Sequence, residues 1–172
     1  YRISHMVEIY RGTYFEHFAK NFNGEIIENR TGSQWNEIYL TPDLEKGVKY
    51  ALNYLDEEHS YVPLVLEFEV PKDNIYILYG WDEDKNKPTV KNEKSKILEK
   101  AENGKQTVIR KDKADKKWTA PFVKTEYLKA IIEVPENAQS MQEVKQKGRK
   151  IDINGKAEKL QKYYQKKNRI SK

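Results

Sequence analysis

Residues 62–70, VPLVLEFEV, constrain the fold of this chain more than any other stretch. Leu64, Leu66, Phe68 and Val70 recur at a spacing of two, the period of a strand with one face on a core. Glu67 and Glu69 then fall on the opposite face, and Pro71 closes the strand. Such a strand needs partner strands and a covering layer, so the rest of the chain has to supply both.

Partner strands are predicted at 7–10, 36–40, 75–79 and 127–134, where β-branched and aromatic residues cluster between turn residues. Gly12 is expected to break the first strand just after Arg11. Residues 14–22 carry Phe15, Phe18, Ala19 and Phe22 at helical spacing, and 29–34 read as a loop. Thr41-Pro42-Asp43 predicts a helix start with Thr41 as N-cap and Pro42 at the first helical position. Leu44, Val48, Ala51, Leu52 and Leu55 follow as one apolar stripe. Strands with two or three helices, and without repeated strand–helix–strand units, imply an α+β fold.

At 172 residues, 37% apolar and 34% charged, the chain has room for one domain of usual size with solvated additions. Residues 82–117 read as a charged insertion with a short helix near 95–101. Residues 144–172 hold 11 Lys or Arg against Asp152 and Glu158, a charge of +9, whereas the remainder carries −4. This basic C-terminal tail or helix is either a solvated face or a contact for an anionic partner such as nucleic acid. Residues 1–6, YRISHM, have the look of a vector-derived leader, which puts the native start at Met6 and the body of the domain at 7–143.

Several chemistries are excluded by composition. Cysteine is absent, which removes disulfides, thiolate nucleophiles and cysteine metal sites. His5, His17 and His59 lack the i,i+4 spacing of paired ligands, so no metal is expected. The longest nearly apolar stretch, 61–66, is far shorter than the roughly 20 residues that span a bilayer. A soluble, cytoplasmic protein without a membrane partner is the expectation.

The order of the short motifs is more informative than any of them alone. IYRGT ends the first strand, IYLTPD runs from a strand into a helix, EKGVKYAL forms that helix, and KTEYLKAIIEV opens a late strand. Across residues 7–135 this arrangement resembles the ADP-ribosyltransferase superfamily, in its arginine-containing branch. The resemblance implies a split β-sheet core that binds NAD as substrate. It implies Arg11 holding NAD, Thr41 supporting the site, and Glu126 stabilising the reacting ribose. Arg11, Gly12, Thr13, Tyr39, Thr41 and Tyr50 would line the NAD site, with Trp118 and Lys124 meeting the acceptor.

The chemistry asks for these residue types. An Arg fork suits phosphate, and a glycine lets the backbone approach a ligand and pair with the nicotinamide amide. A carboxylate stabilises the positive ribose left when nicotinamide departs. Each residue also has a plain structural reading: Arg11 as a surface pairing residue, Thr41 as a helix cap, Glu126 as a solvated carboxylate.

The sequence departs from the family pattern at Lys124, where many relatives have Glu or Gln, and at Tyr39-Leu40-Thr41, where Ser-Thr-Ser is usual. Glu69 is a rival to Glu126. The function implied is a mono-ADP-ribosyltransferase acting on a protein or nucleic acid, of the toxin, effector or phage-defence kind, with an antitoxin or immunity partner. The alternatives are a non-catalytic nucleic-acid-binding module working through the basic tail, and an RNase-type toxin.

Overall fold

The computed structural model describes residues 5–20, 25–31, 34–53, 61–82, 84–90, 99–101, 106–112, 117–138 and 140–170. Phe22, Leu55, residues 1–4 of the expected leader and residues 95–98 of the expected insertion helix lie outside these. The architecture is mixed α/β, compatible with α+β, and comprises three sheets among the described residues.

Strand β5 (Pro63–Pro71) stands at the centre of the first sheet, as its alternation predicts. It pairs antiparallel with β1 (Met6–Tyr14) on one side and β11 (Leu128–Glu133) on the other. The strand β12 (Arg149–Asp152) extends β11, giving the order β1-β5-β11-β12. Leu64, Leu66, Phe68 and Val70 are each at most 1% exposed and join Ile9 and Ile131 in the main core. The other face is covered as well: Val65 packs with Tyr10 against Val48 and Ala51 of helix α2 (Leu44–Leu52).

Gly12 does not end β1, which pairs with β5 from Met6 to Tyr14. Its missing side chain serves a close approach instead. A Cβ at Gly12 would lie 2.1 Å from the Gly47 carbonyl oxygen and 2.7 Å from the Ala51 nitrogen, so α2 lies directly on the strand. The helix starts later than predicted. Asp43 is its N-cap, accepting the Glu45 N–H at 3.0 Å, while Thr41 Oγ1 accepts the Asp43 N–H at 3.1 Å. Thr41 is thus a turn residue preceding the cap, because its main chain is engaged in pairing with Tyr10.

Helix α1 (Phe15–Lys20) buries Phe15 and Phe18, as their spacing predicts. The expected loop at 29–34 is instead a hairpin: β2 (Ile26–Thr31) pairs with β3 (Gln34–Asn36), and β10 (Phe122–Lys124) flanks β2. Polar side chains there hide the strand period.

The third sheet has the order β4-β9-β8-β6-β7, from β4 (Ile38–Leu40), β9 (Lys117–Ala120), β8 (Ile109–Asp112), β6 (Ile75–Asp82) and β7 (Lys87–Val90). Two of these strands come from the expected insertion. Val108 and Ile109 are fully buried, so that segment contributes core rather than only a solvated loop.

The basic C-terminal segment is also built into the fold. Helix α3 (Met141–Lys147) buries Val144, and helix α4 (Ala157–Ile170) turns Leu160 and Tyr163 into the main core. Among the described residues, no helix is long and apolar enough to cross a membrane.

Candidate functional site

Among the described residues, one main-chain pair links the first and third sheets, which also share the main core. Tyr10 N–H donates to the Thr41 carbonyl at 2.8 Å, and Thr41 N–H donates to the Tyr10 carbonyl at 2.9 Å. This is an isolated antiparallel bridge. Continued pairing would join Gly12 to Tyr39, but that pair does not form, and β4 pairs along its length with β9, where Tyr39 meets Thr119. Pairing between β1 and β4 therefore stops at this one bridge, leaving a splay beside Gly12 in which no main-chain bond forms among the described residues.

Main-chain groups alternate in direction along an antiparallel strand. Since Tyr10 turns both of its groups to Thr41, Gly12 turns its N–H and C=O the same way, away from β5 and into the splay. Among the described residues, none pairs with them. Helix α2 closes the adjacent face, with the Tyr50 Cβ 2.7 Å from where a Gly12 Cβ would stand.

Arg11 follows Tyr10 and so projects to the opposite face of the sheet, the side of Ile9. It is 5% exposed, which rules out the reading of Arg11 as a surface pairing residue. Thr13 shares that face and is buried, and its Oγ1 has no hydrogen-bond partner. His17 of α1 feels the Arg11 charge. Burial first, then Arg11 and Lys20, hold its pKa below the ordinary 6.5, against a hydrogen bond with Asn29 that raises it. Aromatic rings gather at the end of β1, with Tyr14 stacked on Tyr61 at 4.2 Å and tilted to His17 at 5.5 Å.

The other residues singled out from sequence divide into two groups. Tyr39 and Tyr50 are exposed, at 57% and 46%, on the elements that flank the splay. Trp118 pairs with Leu40 next to Thr41, and Lys111 Nζ lies 4.8 Å above its ring.

Glu126 and Lys124 lie elsewhere. They line a surface cleft of about 320 Å³ with Glu25 and Gly155, and Glu126 also borders a second cleft with Met6 and Glu69. Met6 is five residues from Arg11 along an extended strand, which separates the two ends by about 17 Å. The structure thus brings Gly12, Thr41 and Tyr50 to the splay, sets Arg11 and Thr13 on the opposite face of β1, and does not bring Glu126, or its rival Glu69, to them.

Sequence reasoning missed a charged array on the α2-facing side of the first sheet. Lys129 Nζ lies 3.0 Å from Glu8 and 3.7 Å from Glu69, and Lys150 Nζ lies 3.3 Å from Glu67. Burial, together with the charges of Glu8 and Glu67, pushes the Tyr10 hydroxyl up to about 12. The Lys129 hydrogen bond holds the Glu8 carboxyl below its ordinary range despite some burial. The alternation of Glu67 and Glu69 was the visible half of this array; the lysines reach it from strands far along the chain. A second missed pair is Arg110 with Glu37, in which the guanidinium is 2% exposed and desolvation lowers its pKa.

Comparison with protein-family models, curated proteins and solved structures finds no match for this chain.

Proposed function

We propose that this chain is a mono-ADP-ribosyltransferase that binds NAD in the splay between β1 and β4. The observation that carries this reading is the single Tyr10–Thr41 pairing, which leaves the main-chain edge of Gly12 facing the gap with Arg11 as its neighbour. An adjacent N–H and C=O match the acceptor and donor of a carboxamide such as that of nicotinamide. The Arg11 guanidinium, next to Gly12 along β1, suits a phosphate oxygen. The exposed rings of Tyr50 and Tyr39 offer faces for a heterocycle. The division of the strands into two sheets at this bridge also supports a split-sheet core of the ADP-ribosyltransferase kind.

In the reaction the bond between nicotinamide and ribose C1′ breaks, and nicotinamide departs with the electron pair. A nucleophile of the acceptor then bonds to C1′ and gives up its proton. A carboxylate must face the positive ribose. Glu126 is too distant for this, whereas Glu67, across from Tyr10 on β5, is the strand carboxylate nearest in register to Arg11 and Thr41.

The test is transfer of label from NAD to lysate macromolecules, with nicotinamide release followed in parallel, for wild type and for Arg11→Lys, Glu67→Gln and Glu126→Gln. The expected result is labelling by wild type, a loss of about 100-fold in the first two variants and little change in the third. Neither label nor nicotinamide release from wild type would contradict the proposal.

A further inference from the structure

We infer that the outer flank of α4, continued by the end of α3 and the start of β12, is a docking surface for the phosphate backbone of a nucleic acid. Lys159, Lys162 and Lys166 follow the spacing i, i+3, i+7, which places them on one flank of α4 over about 10 Å. Leu160 and Tyr163 point into the core and fix which way that flank faces. Glu133 ties the surface together. It pairs with Arg149 of β12 at 4.0 Å and with Lys167 of α4 at 2.5 Å, so the start of β12 lies beside the second half of α4.

The charges on this surface are uncompensated. Lys145, Lys147, Lys156, Lys159, Lys162 and Lys166 are exposed, and among the described residues their side chains form no ion pair. Asp152 and Glu158 are the only acids in residues 144–172. A line of unpaired ammonium groups matches a repeating anion, which gains affinity by releasing counterions.

Other anionic partners fit less well. A helix that lies on a membrane inserts its apolar face, and the apolar face of α4 is already spent on the core. A protein interface centres on buried aromatic or Arg anchors, whereas Tyr163 and Tyr164 of α4 are packed against the core and Arg149 is paired with Glu133. The inference is independent of the NAD reading, because nucleic-acid binding is measured without NAD.

The experiment is fluorescence anisotropy with labelled mixed-sequence duplex DNA and single-stranded RNA over a salt series. It compares wild type, the triple variant Lys159→Gln/Lys162→Gln/Lys166→Gln, and the control Lys20→Gln/Lys46→Gln/Lys72→Gln with the same net charge change. All six residues are exposed, and circular dichroism confirms that each variant is folded. The flank variant is expected to bind about tenfold or more weakly, whatever the sequence, with a salt slope smaller by about 2 to 3. The control should change affinity by less than about twofold. Failure of wild type to bind either probe, equal loss in both variants, or preference for phosphatidylserine vesicles over both nucleic acids would overturn the inference.

Discussion

Tyr10 and Thr41 exchange both of their main-chain hydrogen bonds, and this one pair joins the four-stranded sheet to the five-stranded one. The consequence is local. Strand β4 pairs along its length with β9, β1 pairs along its length with β5, and the main-chain groups of Gly12 stay unpaired among the described residues. The motifs IYRGT and IYLTPD are brought together by this contact although some 30 residues separate them in the chain.

Gly12→Ala should be among the most damaging single substitutions in the chain. The added methyl would meet the Gly47 carbonyl at 2.1 Å and the Ala51 nitrogen at 2.7 Å, and neither is a flexible side chain. Forcing α2 off the strand is expected to cost about 3 kcal/mol, the upper part of the range for overpacking. Urea unfolding of the variant measures this; an unchanged midpoint would mean that α2 does not lie on Gly12.

Leu160→Ala tests whether the basic C-terminal segment belongs to the core. Leu160 is fully buried among residues of the first sheet's core, so truncation should cost about 3 kcal/mol through lost burial and a cavity. A solvated appendage would tolerate the change with no measurable shift in the unfolding midpoint. Lys162→Gln, two residues on and on the exposed flank, is the internal control.

Acidification should weaken the fold through His17. Its folded pKa lies below 6.5, so the unfolded chain binds a proton that the folded one refuses. The contribution is complete above the unfolded value and is lost as pH falls from about 6.5 through the folded value. Arg11→Met removes one cause of the shift, and the His17 ring resonances should then titrate at higher pH. An unmoved titration would place Arg11 away from α1.

The sequence made β1, β5, β11 and the covering helix α2 legible because their signals are strong and local, whereas β12 lay hidden in the basic segment. Leu64 to Val70 alternate cleanly, Leu128 to Val134 form an apolar run, and Val48 and Ala51 keep helical spacing. The β2–β3 hairpin was hidden because Asn29, Arg30, Gln34 and Asn36 carry no apolar period. The end of α4 was hidden for a different reason: its many lysines mask a two-residue stripe, Leu160 and Tyr163, that suffices to dock it.

The site was readable only in part. The motifs singled out Arg11, Gly12 and Thr41, which the Tyr10–Thr41 bridge brings close together in the fold, since strand ends and helix starts leave local marks. Glu126 was placed with them because motif order carries no register. The pairing of Leu128 with Phe68 fixes its position near Glu69 and Met6, at the far end of β1. Likewise Lys129 and Lys150 join Glu8, Glu69 and Glu67 only through strand neighbours distant in sequence.

The central claim is that NAD lies against the Gly12 edge at the splay. Titrating NAD into isotopically labelled protein and following backbone amide resonances tests it directly. The account predicts saturable shifts at Arg11, Gly12, Thr13 and Thr41, abolished in Arg11→Lys, with the amides of Glu126 and Gly155 unmoved. Shifts confined to Glu126, Gly155 and their cleft, or none at all, would contradict it.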